Sequence, residues 1–115
     1  MNRERGSATV WVAMAATVLC AVFAAVLAMG QVVVARHRAG AAADLAALAA
    51  ADHALRGTAA ACAKAADVAR AQGAAVVRCA VRGEIADVTA EASLGPYAPT
   101  VRARAGPPEL PGAVP

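Results

Sequence analysis

Aromatic side chains are scarce in this 115-residue sequence, at 3%: Trp11, Phe23 and Tyr97. Charge is scarce as well, at 17% of residues against a usual ~25%. From Gly6 to Ala35 there is no Asp, Glu, Lys or Arg at all. The arginines are scattered from Arg3 to Arg104 with no aromatics interleaved, and the net charge is only +3. Nucleic-acid binding needs a basic stripe or a stacking platform, and neither is present. There is no CxxC, HExxH, Gly-rich phosphate loop or nucleophile elbow, and His37 and His53 have no ligand-spaced partners. These absences point away from an enzyme, a metal, a cofactor or a small-molecule substrate.

What the chain does have is alanine, about a third of it, within a hydrophobic fraction of 60%. Alanine buries little area, so a water-soluble core built from it gains little at ~25 cal/mol per Å². The composition suits helices that pack on other helices or sit in lipid. Val10 to Met29 alone supplies the ~20 apolar residues of a membrane span, with only Thr17 and Cys20 mildly polar. A cleaved signal peptide is the rival reading: Arg3 and Arg5 as its basic start, and Ala28-Met29-Gly30 as a small-x-small cleavage site. The mature chain would then begin at Gln31. Signal h-regions run ~7–15 residues, and the greater length here favours a retained anchor.

Arginines flank the span on both sides, at Arg3 and Arg5 and at Arg36 and Arg38, so the positive-inside count is close to a tie. The cysteines decide the orientation. Cys20 lies mid-span as a small packing residue, whereas Cys62 and Cys79 share one short downstream segment. An even pair fits a disulfide on the oxidising side, which places the N-terminus in the cytoplasm and the C-terminal part outside. Two reduced thiols in a cytoplasmic domain are the alternative, since spacing alone does not define a bridge.

Beyond the span the helical period continues. Leu45, Leu48 and Leu55, with Ala41, Ala51 and Ala59, recur at the spacing of one helix face. We expect one helix from about Ser7 to Leu55, softened at Gly30 and Gly40 and broken at Arg56-Gly57. A second helix, Ala59 to Gln72, is expected to be capped by Thr58 and stopped by Gly73. Its solvated face carries Lys64, Asp67 and Arg70, and Cys62, Ala66 and Ala69 lie on another side. After Gly73 the period becomes two. A tight type II′ turn at Gly83-Glu84 pairs Val81 with Ala86, Cys79 with Val88 and Val77 with Ala90, and sets Arg78 opposite Thr89. Thr100 to Ala105 alternates as a short third strand would. The organisation expected is a tail and transmembrane helix over 1–35, an extracytoplasmic helix-helix-hairpin module over 36–105, and a disordered Pro-rich tail over 106–115. The fold class is α+β and membrane-anchored.

Two motifs bracket the long helix: Arg5-Gly6-Ser7-Ala8-Thr9-Val10 before the span, and Ala42-Ala43-Asp44-Leu45-Ala46-Ala47-Leu48-Ala49-Ala50-Ala51 after it. With them the chain resembles the TadE/TadG-like Flp (tight adherence) pilus-assembly proteins, more narrowly the short TadE-like type of high-GC Gram-positive bacteria. The Arg36-His37-Arg38 step, the downstream cysteine pair and the Ala103-Arg104-Ala105-Gly106-Pro107 end belong to the same resemblance. It implies a pilin-like architecture and a non-enzymatic single-pass component of a pilus-assembly or secretion system, with lipid and other pilin-like proteins as partners. It also implies a processing site between Gly6 and Ser7. Pilins carry a Glu five residues after the cut that registers a subunit in its filament. Here that place holds Trp11, which argues against a main filament subunit. Two other places where TadG-like members often carry Asp and Gln hold Ala28 and Gly40.

Small residues let helix backbones approach closely. Ala21, Ala24, Ala25 and Ala28 offer such a face in the span, and Ala42, Ala43, Asp44, Leu45 and Leu48 mark a second one beyond it. The helix is then an assembly surface for partner helices; the alternative is that it packs only on its own domain.

Overall fold

The structure, a computed structural model, describes residues 2–108. The element order is α1 (Asn2–Asp52), a 3-10 turn (Ala54–Arg56), α2 (Thr58–Ala71), β1 (Ala75–Arg82), β2 (Ile85–Glu91) and β3 (Thr100–Ala105). The sequence-derived tail over 106–115 falls largely outside the described residues. By its contacts the chain divides into two compact units between Val33 and Val34.

Helix α1 runs without a break through Gly30 and Gly40, neither of which softens it. Alanine is the best helix former, and the first proline of the chain is Pro96. In the first unit its side chains are exposed nearly all round, including Trp11, Phe23, Leu27 and Met29.

The second unit is α+β. Its sheet is antiparallel in the order β1-β2-β3. Gly83 takes φ +61 and Glu84 keeps a negative φ, as the type II′ turn requires. The expected register holds at Val81↔Ala86, Cys79↔Val88 and Arg78↔Thr89. It fails at Val77. A bulge inserts this residue, so Val76 faces Ala90 while Val77 is 53% exposed. β3 pairs along β2 from Ala86↔Ala105 to Glu91↔Thr100, extending the expected hairpin to three strands.

The core is made of alanine. Ala39, Ala42, Ala43, Ala46, Ala47 and Ala50 of α1 meet Ala61, Ala65 and Ala69 of α2 and the inner side of β2 at Ala86, Val88 and Ala90. Val88 is the largest side chain that is fully buried. The leucines of the periodic face lie outside this core. Leu45, Leu48 and Leu55 are exposed by 42%, 58% and 86%, and Ala59 is exposed on α2. The row that turns inward is the one with no side chain beyond Cβ, because only that row lets helix and sheet approach closely.

Helix α2 also corrects its expected start. Gly57, at φ +107, is the N-cap, and no side chain caps the helix; Thr58 is already inside it. The other end is as expected. Gly73 at φ +74 donates its N–H to Arg70 O (3.0 Å), and Ala74 N donates to Ala69 O (3.0 Å), a Schellman stop.

Candidate functional site

Among the described residues no group of three or more His, Cys, Asp or Glu is placed to hold a metal ion. The features that carry function are surfaces and one covalent tie.

The first surface is the apolar length of α1. By length and composition it is a helix able to cross a membrane, and its most apolar window has nothing covering it. Both of its threonines are satisfied within the helix. Thr9 Oγ1 donates to Arg5 O at 2.9 Å and Thr17 Oγ1 to Ala13 O at 2.8 Å. A hydroxyl bonded four residues back needs nothing from solvent, which suits a lipid-facing position. Ala21, Ala24, Ala25 and Ala28 are all exposed and fall within about 100° of helix arc, one continuous small-residue face. Gly6, Ser7 and Cys20 are exposed too.

The tie is the disulfide between Cys62 on α2 and Cys79 on β1, with Cα atoms 6.0 Å apart and a sequence separation of 17. Cys79 faces inward opposite Val88, so the bridge fastens α2 to the inner side of the sheet. The small row of α2 that meets the core is Ala61, Ala65 and Ala69, with Cys62 and Ala66 half-buried beside it. On the opposite side Arg70 pairs with Asp67 at 2.8 Å in full solvent.

Of the second expected packing face, Ala42 and Ala43 lie fully buried in this chain's own core, so that pair is covered internally. Asp44, Leu45 and Leu48 are exposed and are not brought together with the alanines.

The outer face of the sheet gathers arginines. Arg78 and Arg82 come from β1, Arg102 and Arg104 from β3, and Asp87 stands between them on β2. Arg102 grips Asp87 with two hydrogen bonds, one from Nε to Oδ1 at 2.7 Å and one from the guanidinium terminus to Oδ2. Arg104 lies 3.8 Å from the same carboxylate. The hydrogen bond from Arg102 holds the Asp87 carboxyl below the usual carboxylate range, against an opposing pull from partial burial, and the charges of Arg102, Arg104 and Arg78 add to it. The Arg102 guanidinium is pushed up in turn, first by the hydrogen bond it donates to Asp87. Sequence reasoning set Arg78 opposite Thr89 but missed Arg102 and Arg104. The signal was the alternation in Thr-Val-Arg-Ala-Arg-Ala, which places both on one face once β3 is given a register.

No curated protein and no solved structure matches the chain. The family model for the TadE/G-like Flp pilus-assembly domain matches residues 6–76, from the start of the apolar helix through α2 to the first residues of β1. The match covers more than half of the chain, and the chain belongs to the TadE/G-like Flp pilus-assembly family.

Proposed function

We propose that this protein is a non-enzymatic, single-pass membrane component of a Flp/Tad-type pilus-assembly or secretion machine. Its N-terminus lies in the cytoplasm and its 36–105 module outside. It acts by packing the small-residue face of Ala21, Ala24, Ala25 and Ala28 against the helices of partner subunits. The family match over residues 6–76 carries the reading. The uncovered apolar helix supports the anchor. The Cys62–Cys79 bridge supports the orientation, since disulfides persist in oxidising compartments. Cutting between Gly6 and Ser7 belongs to the same proposal.

Washing membranes at alkaline pH without detergent tests the anchor. The protein is expected to stay with the lipid, and protease added to intact cells is expected to remove the 36–105 module. Release into the wash would instead indicate a small secreted protein cut after Gly30. Photo-crosslinkers at Ala24 and Ala28 are expected to capture other pilus-assembly proteins, and crosslinkers on the opposite side of the helix are not.

A further inference from the structure

We propose that copies of this protein bind one another face to back through the second unit. The outer stripe of α1 in one copy seats on the arginine face of the next copy's sheet. Within α1, Asp44, Leu48, Asp52 and Leu45 fall inside about 100° of arc, opposite the alanines that enter the core. All four are exposed. Among the described residues, neither Asp44 nor Asp52 forms an ion pair. The same is true of Arg78 and Arg82: of the two carboxylates that β2 puts on their face, Asp87 is held by Arg102 and Arg104, and Glu91 forms no ion pair with them. The α1 stripe thus carries two free acids, and the sheet face two free arginines, with the single free carboxylate Glu91 beyond their Arg78 end.

The spacings match. Eight helical residues separate Asp44 from Asp52, about 12 Å. Four strand residues separate Arg78 from Arg82, about 13 Å. Midway between the acids stands Leu48, 58% exposed, and midway between the arginines stands Ala80. The large side chain on one surface therefore meets the small one on the other. Ala80 and the exposed Ile85 line a depression of about 160 Å³ among the arginines, which gives that leucine an apolar seat. The two surfaces lie on opposite sides of the unit, because α1 packs on the inner side of the sheet, Gly40 lying toward Val101 of β3. Such a contact is head-to-tail, so it builds rings or chains of subunits rather than a two-fold dimer.

Light scattering on the full chain in detergent at low salt tests this. The wild-type protein is expected to form a ladder of sizes that shrinks as salt is raised. The D44R/D52R and R78D/R82D proteins are each expected to associate at least ~10-fold more weakly. Mixed together, each presents a stripe complementary to the other's sheet face, so the two are expected to alternate and recover the ladder that neither forms alone. All four reversals in one chain are expected to restore the ladder, which also shows that the variants fold. A wild-type protein that stays single at low salt overturns the proposal and leaves the arginine face to an acidic partner of another kind. A ladder that every variant keeps also overturns it and puts association in the apolar helix.

Discussion

Val88 and Asp87 sit side by side in β2 and point to opposite faces, and each is the singular residue of its face. Val88 is the largest side chain fully enclosed in a core of alanines. Truncation to Ala leaves a gap that a framework already at minimum side-chain size cannot fill. Val88→Ala is expected to cost about 2 kcal/mol. Hydrogen exchange on the full chain in detergent checks this as a loss of protection at β2 amides, about 30-fold for that cost. Asp87 links stability to pH. Its folded-state pKa lies below the unfolded value of about 3.9, so its contribution is complete above that value and is lost as pH falls through the folded one. Acid loosening of the sheet below about pH 4 is therefore expected to be weaker in Asp87→Asn than in the wild type. An acid titration of sheet amides that is superimposable for the two proteins would remove Asp87 from the account.

At the scale of elements, α2 and the hairpin depend on each other through one bond. A hairpin alone is marginal in water, and α2 buries only alanines. Closing the 17-residue separation between Cys62 and Cys79 is worth about 3 kcal/mol in the chain-entropy model. Cys62→Ser with Cys79→Ser is expected to lower the stability of the second unit by about that amount. A urea titration followed by circular dichroism is the check, and the apolar length of α1 is expected to stay helical throughout. The elements were legible in the sequence wherever a pattern had one solution. Apolar met apolar at Val81 and Ala86 and at Cys79 and Val88, and Gly83 allowed one turn type. The bulge was hidden because Val76 and Val77 are both apolar, so the alternation reads equally well with either one inside. The spacing of α1 left open which of its faces turns inward; helix–sheet distance decides it, and alanine permits the close approach. Thr58 looked like a cap by residue type, but Gly57 supplies the positive φ at that corner.

At the scale of the whole molecule, the same residue type stands in two settings. Alanine in the second unit closes the chain on itself, as at Ala42, Ala43 and Ala46. In the first unit, at Ala21, Ala24, Ala25 and Ala28, it stays uncovered. Uncovered small residues on an apolar helix are the means by which helices associate in lipid, without a hydrophobic drive between them. Of the candidate site, the apolar helix and the cysteine pair were readable from run length and parity alone. The arginine face was not, because it is assembled by the pairing of β3 with β2, and strand register across a loop is not written in either strand separately. Leu45→Glu with Leu48→Glu alters exposed positions only. It is expected to leave the fold within about 0.5 kcal/mol of wild type while adding charge to the outer stripe. Amide protection in β2 measures that directly, and a loss above about 2 kcal/mol would return the leucines to the core.

The account turns on an apolar helix that stays attached to a disulfide-tied module. The intact mass of the native protein, extracted from membranes under non-reducing conditions, tests this most directly. The mass is expected to correspond to a chain starting at Met1 or Ser7, less the two hydrogens of the Cys62–Cys79 bridge. A start at Ser7 would also show that processing tolerates Trp11. A chain starting at Gln31 would contradict the account, since the helix would have been removed and the module released.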